Sequence, residues 1–307
     1  MKFKTLLIGI LTLLSAIFIA VASAGRKWQT RTVELINKLQ NAQVRKRFQK
    51  FRNNEIRYLP LPVQRYLRKV MKNGQQLIDE VTIKHSGTFN MSNTGENWKP
   101  FTSNQHVSVA GNGFIWDARI CAIPGLNVFV HDAYVEGDGI LKASLMGMFS
   151  LADMPRTPEL AHGELTRFLA ETAWYPTALL PGQSIKWRKC GPDKAKAIIS
   201  DRETSVNLTF CFNAEGFIET VISDGRHRES NGRLVLTPWQ GRFWNYQERN
   251  GIMVPLDGEV SWILPEGLKP YWRGHIDEIS FKFVEPQHKI HPVGSEFESQ
   301  PQNPSLI

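Results

Sequence analysis

Three regimes of hydrophobic patterning follow one another along the chain. Thr5 to Ala24 (TLLIGILTLLSAIFIAVASA) is an apolar run without a charge. Its 20 residues, at about 1.5 Å each in a helix, reach about 30 Å, the thickness of a bilayer's hydrocarbon core. From Thr30 to Phe51 the period is helical. Val33, Ile36, Leu39 or Gln40, Val44 and Phe48 return every three to four residues. Leu59-Pro60-Leu61-Pro62 breaks that pattern, and Pro62 opens a short predicted helix, Val63 to Met71, closed by Asn73-Gly74.

The third regime has period two. Val81 to Phe89, Phe114 to Ile120 and Val128 to Tyr134 alternate, and Val206 to Phe212 does so most clearly. Asn213-Ala-Glu-Gly216 is a hairpin turn into Phe217 to Ser223. Further strands are predicted at Arg233 to Leu236, Arg242 to Glu248, Ile252 to Pro255, Glu259 to Leu264 and Gly274 to Phe283. Gly111-Asn-Gly113 and Gly137-Asp-Gly139 read as turns. Roughly ten to twelve strands in hairpin order, each with one polar face, predict an antiparallel sheet. One helix interrupts them, Glu159 to Trp174, stopping before Pro176, with a short turn at Thr177 to Leu180. Met146 to Pro155 before it reads as an apolar, Met-bearing loop, either a lid or core filler. The expected class is α+β, mainly antiparallel β. The expected organisation is an anchor or signal peptide (1–25), a basic helical arm (26–76), a sheet domain (77–284) and a disordered tail (285–307).

Charge sharpens this division. Between Arg26 and Lys72 stand 14 Lys and Arg against Glu34 and Glu55, so this stretch carries +12. The whole chain is +8 and Lys2 and Lys4 add +2, which leaves −6 for residues 73–307. A mildly acidic domain therefore follows a basic arm. As a signal peptide, the opening segment would have Ala22-Ser23-Ala24 as its cleavage site, releasing the protein to the periplasm. As a single-pass anchor in the cell membrane, it would place Trp28 at the interface. Cations flank both ends, so the side of the membrane is open. The arm either lies on anionic headgroups or docks on its own domain. Nucleic acid is not an expected partner, because the aromatics of the arm follow no stacking pattern. Cys121, Cys190 and Cys211 have neither CxxC nor metal spacing and read as buried or free thiols.

From Leu59 onward the chain resembles a family of uncharacterised bacterial proteins, a domain of unknown function. The matching blocks are Leu61-Pro62-Val63-x-Arg65-Tyr66-Leu67, Gly163-Glu164-Leu165-x-Arg167-Phe168-Leu169-Ala170-Glu171-x-x-Trp174-x-Pro176-Thr177-Ala178-Leu179-Leu180, and Pro270-Tyr271-Trp272-Arg273-Gly274. The resemblance carries no activity with it. The order of elements is also similar to the LolA-like lipoprotein-carrier fold, which implies a large curved sheet or half-barrel.

Chemistry is sparse. Glu164, Arg167 and Glu171 share one helix face at spacings of three and four, either as a polar cluster at a cleft or as ion pairs holding the helix. Asp117, His131 and Asp132 fall on adjacent strands, but successive strand residues point to opposite faces, so His131 and Asp132 cannot serve one site. His288-x-x-His291 has a ligand spacing without a structural context, and no metal site is expected. There is no G-x-S-x-G, H-E-x-x-H, GxxxxGK[ST] or post-strand GxGxxG, so no cofactor is expected. The aromatic load points instead to an apolar groove. The expected function is a membrane-tethered, non-catalytic binding protein for a lipid or other apolar small molecule, with membrane lipids as partners. Its expected ligand-binding residues are Trp116, Phe168, Trp174, Trp244, Tyr246, Trp262, Trp272, Arg167 and Arg273. The alternatives are a hydrolase using Glu164 or Glu171, and an envelope scaffold without a small ligand.

Overall fold

The computed structural model describes residues 2–42, 50–92, 95–230 and 233–285. Val44, Phe48, His288, His291 and the predicted tail beyond Glu285 lie outside the described residues. Helix α1 (Lys2–Asn41) is unbroken from the apolar run into the arm, and α2 (Leu61–Val70) opens with proline in its first turn, as its sequence requires. Six strands follow: β1 (Ile78–Asn90), β2 (Trp98–Ser108), β3 (Gly113–Ile123), β4 (Leu126–Val135), β5 (Asp138–Leu145) and β6 (Phe149–Asp153). Then comes α3 (Pro158–Ala170), continued by 3-10 turns at Glu171–Ala173 and Pro176–Leu179. Seven more strands complete the fold: β7 (Ile185–Lys189), β8 (Lys194–Asp201), β9 (Thr204–Phe212), β10 (Ile218–Ser230), β11 (Arg233–Arg249), β12 (Ile252–Leu264) and β13 (Gly267–Phe283).

All thirteen strands form one antiparallel sheet, in the order β6-β5-β4-β3-β2-β1-β13-β12-β11-β10-β9-β8-β7. Every connection is a hairpin except one. That exception, β6 to β7, runs from one edge of the sheet to the other through α3. The sheet curls into a half-barrel around this crossing, so α3 touches β3, β4 and β5 on one side and β9 and β10 on the other. Thr157 caps α3 by accepting a hydrogen bond from the Leu160 amide, with Pro158 next and Glu159 in the first turn.

β1 and β13 meet at the centre, from Ile78 opposite Phe283 to Phe89 opposite Trp272. Gly87, Gly274 and Gly258 stand opposite one another across β1, β13 and β12. A Cβ on Gly274 would lie 2.3 Å from the Trp272 ring, and one on Gly87 only 2.0 Å from the Arg273 carbonyl oxygen. The glycine row thus lets the Trp272 indole lie along the inner face.

Two cores result. The larger fills the concave side and includes Val81, Phe114, Leu165, Phe168, Leu208 and Phe210, with α2 contributing Val63, Tyr66 and Leu67. The smaller lies on the convex side, where Leu39 of α1 packs on Ile115, Ala133, Val135 and Ile140, flanked by Leu35 and Ile36. Up to Asn41, then, the arm docks on its own domain. A polar cluster fastens it. Trp28 Nε1 donates to Asp117 Oδ1 at 2.9 Å, and Thr32 Oγ1 lies 2.8 Å from His131 Nε2. Arg119 pairs with Asp117. Asp117 and His131 are direct cross-strand partners on this outer face, while Asp132 points inward, as alternation demands.

Three expectations are corrected. Met146 to Pro155 is a hairpin carrying the edge strand β6, not a loop. The segments read as four short strands between Arg233 and Leu264 are two long ones, because Pro238 and Pro255, which punctuate the sequence, are carried inside β11 and β12. The arm pattern predicted helix to Phe51, whereas α1 ends at Asn41 and Phe51 lies in the core.

Candidate functional site

Between α3 and the concave face lies a cavity of about 310 Å³. Its walls are Trp116 on β3, Trp174 after α3, Trp239 and Phe243 on β11, Trp262 on β12 and Trp272 on β13, with Leu141 and Met154 on the β5–β6 side. Trp262 stacks on Tyr271 with ring centroids 5.5 Å apart, and Trp174 meets Phe243 edge-on at 5.8 Å.

Two buried arginines stand behind this apolar wall. Arg167 donates through Nε to Glu171 Oε1 at 2.7 Å and through a terminal nitrogen to Asp132 Oδ2 at 2.6 Å. Its guanidinium also lies 4.8 Å from the Phe114 ring centre and 5.1 Å from that of Trp116. Gln105 on β2 donates to the other Glu171 oxygen. Arg226 on β10 donates to the Gly163 carbonyl, to Tyr271 Oη at 3.1 Å and to Glu164 Oε1 at 3.2 Å. Trp239 Nε1 donates to the same Tyr271 oxygen at 2.9 Å.

Glu164 is strongly perturbed by its surroundings. Burial pushes its carboxyl well above the ordinary carboxylate range, and the neighbouring Asp132 pushes it further, against the pull of Arg226. Three buried polar atoms of the lining side chains have no partner in the protein, Trp116 Nε1, Trp174 Nε1 and His227 Nδ1, while Glu164 and Asp132 meet each other, a contact that one shared proton satisfies. Buried polar atoms are normally hydrogen-bonded, and leaving one bare costs about 1–3 kcal/mol.

Of the expected ligand-binding residues, Trp116, Trp174, Trp262, Trp272 and Arg167 line this cavity, together with Glu164 and Glu171. Four do not. Phe168 is fully buried on the other side of α3 against Tyr175. Trp244 faces solvent. Tyr246 stacks on Phe217 at 4.2 Å and donates to the Ile218 carbonyl. Trp244 and Tyr246 lose their shared face because Asn245 between them has left-handed backbone, φ 57°. Arg273 turns outward, paired with Glu259 at 2.7 Å and lying over Trp98.

Sequence reasoning missed Arg226, Tyr271 and Asp132 as members of one site. β-Bulges explain two of them. The register of β12 and β13 shifts between Val260 and Ser261, making Tyr271 an extra residue, so Tyr271 and Trp272 both reach the cavity. A second shift between Ser223 and Arg226 turns Arg226 inward. The readable signal was the Arg167 row itself, whose helix face demanded a counter-charge from the sheet.

Both the arginine-bearing helix and the Trp272 strand lie in blocks of sequence, around Glu164 and Trp272, that fall within a family model matching residues 57–281. The chain belongs to the family of unknown function DUF6920. Curated proteins gave no match to this DUF6920 chain. Among solved structures, a LolA superfamily protein from Nitrosomonas europaea is similar at 11% identity and a TM-score of 0.38, covering 67% of this chain and 88% of its own. A beta-barrel-like protein of the domain of unknown function DUF1849 from Brucella abortus aligns at 11% identity and a TM-score of 0.19, over 67% of this chain and 99% of its own. The half-barrel of the DUF6920 chain rests on its own strand order and register.

Proposed function

We propose that the protein is a membrane-tethered binding protein for an amphipathic molecule, an apolar chain with an acidic head. One observation carries this reading: three unpartnered buried polar atoms, two of them indole N–H donors, belong to residues that line a single Trp-walled cavity. About 310 Å³ is at the lower end of the range for ligand pockets, roughly 300–1,000 Å³, and suits a single chain. The acidic head follows from charge. Arg167 has the Asp132 and Glu171 carboxylates, whereas the carboxyl that touches Arg226, Glu164, is pushed toward its protonated form by burial. A ligand carboxylate or phosphate would pair with Arg226 and accept from the indole nitrogens. Helix α1 is the tether, since among the described residues it alone is long and apolar enough to cross a membrane.

The test is native mass spectrometry with lipid extraction on the full chain, followed by titration of the delipidated protein with a fluorescent fatty acid. Val260→Trp, which fills the cavity, should abolish uptake without unfolding the sheet. A delipidated wild-type protein that takes up no acyl probe sinks the reading.

A second reading rests on Glu164 itself. A carboxyl whose hold on its proton is strengthened by burial and by the Asp132 carboxylate beside it is suited to donate a proton into the cavity, as a carboxylate-dependent hydrolase needs. Ester hydrolysis by the wild-type chain, lost in Glu164→Gln, would favour it over binding alone.

A further inference from the structure

Helix α1 lies lengthwise along β3 and β4, and its contacts fix which end of the half-barrel faces the apolar run. At one end, a Cβ on Gly113 would lie 2.6 Å from Leu39 Cδ1. At the other, a Cβ on Gly147, in the β5–β6 turn, would lie 3.2 Å from the Ala24 carbonyl oxygen. Between them Trp28 meets Phe129 edge-on at 5.7 Å. Ala24 is the last residue of the apolar run. The β5–β6 turn, and the β3–β4 turn beside it, therefore sit where the helix leaves the domain.

That end carries exposed apolar side chains. Ile123 and Leu126 bracket the β3–β4 turn at 55% and 38% exposure, and Phe149 and Leu151 on β6 stand at 62% and 57%. Met91, just past β1, and Met148 are exposed as well. β6 is a free edge of the sheet, where soluble proteins usually place charge or proline to prevent pairing. Here Phe149-Ser150-Leu151-Ala152 places neither until Asp153.

We propose that this rim, the β3–β4 turn and the β5–β6 hairpin, inserts into the interface of the same bilayer that α1 crosses. The inference rests on the tether reading above. The bilayer is the occupant because the rim is continuous with the apolar helix, so lipid meets both at one level. Insertion buries the exposed side chains in acyl chains and gives the β6 edge a surface that cannot pair with it. It also holds the half-barrel against the membrane on two supports, a helix and a rim, instead of one.

The experiment uses the full chain in phosphatidylcholine vesicles bearing acyl-chain nitroxides. Cys121→Ser, Cys190→Ser and Cys211→Ser clear the background. Single cysteines at Leu126→Cys, Phe149→Cys, Tyr58→Cys and Ile10→Cys then carry an environment-sensitive fluorophore. Labels at positions 126 and 149 should be quenched by the lipid nitroxide and shielded from aqueous iodide, as at position 10, while the label at 58 shows the reverse. If 126 and 149 behave like 58 while 10 stays lipid-protected, the tether stands and the rim proposal is overturned. If position 10 is also open to iodide, the tether reading fails and the rim proposal falls with it.

Discussion

The indole of Trp28 lies over the imidazole of His131, with ring centroids 4.1 Å apart and planes 20° from parallel. The same indole donates to Asp117, and Thr32 one turn on reaches both Asp117 and His131. A helix long and apolar enough to cross a membrane is thus held on the sheet by a buried polar cluster. Trp28→Ala removes the stack and the Asp117 hydrogen bond together. Large aromatic deletions in buried sites cost about 3–5 kcal/mol, so the variant should lose α1 docking and expose residues 25–41 to protease. Unchanged proteolysis would mean that the helix is held elsewhere.

Stability should fall on acidification. Burial lowers His85 from 6.5 to about 3 and His131 from 6.5 to about 4. The unfolded chain takes up these protons near pH 6.5 and the folded one does not. Their contribution is complete above pH 6.5 and is lost as pH falls toward the folded values, at about 1.4 kcal/mol per pH unit for each group. The urea midpoint should therefore drop between pH 6.5 and 4.5, and His85→Phe should flatten that limb.

Glu164 has the opposite sign. Its carboxyl is raised in the folded state, so the proton it holds favours folding below its ordinary value of 4.5, and the benefit is lost as pH rises through the folded value. Glu164→Gln keeps an acceptor for Arg226 without the buried charge. It should leave the midpoint unchanged at pH 4 and raise it at pH 8. A midpoint lowered at pH 8 would show that the ionised form is the native one.

Arg226 should set head-group preference. Replacing it by Gln leaves the apolar walls in place, so affinity for a fatty alcohol probe should hold while affinity for the matching fatty acid falls about tenfold, the loss of roughly 1.4 kcal/mol of charge pairing. Equal losses for both probes would place the acidic head away from Arg226.

The glycine row makes a further demand. Gly274→Val would drive its side chain into the Trp272 ring, already 2.3 Å from the position of a Cβ. Overpacking costs about 1–3 kcal/mol, and the displaced indole should narrow the cavity. The near-ultraviolet circular dichroism of the tryptophans and acyl-probe uptake should change together.

Legibility of the fold followed from which faces are wet. β9 alternates in sequence because one face packs on the core and the other meets solvent. β2 was hidden because its inward positions include Ser103 and Gln105, polar groups that serve the interior network. β5 is covered from both sides, by α3 within and the α1 cluster outside, so its pattern carries no alternation. The helix row Glu164–Arg167–Glu171 was visible from spacing alone, and most of the cavity tryptophans were visible by type. What spacing could not show was the pair of bulges that turn Arg226 and Tyr271 inward, since a one-residue shift reverses every face beyond it.

The pairing of β1 with β13 has a consequence for how the chain comes into being. The first strand made must wait for the last before its inner edge is closed, with about 190 residues synthesised between Asn90 and Phe283. Until then the early six-strand half carries two open edges, β1 and β6, a state prone to pairing with neighbours. A nascent chain whose opening helix is already lodged in lipid would spend this interval confined to two dimensions and spaced from its siblings. On the proposed tether reading, α1 would then serve assembly as well as attachment.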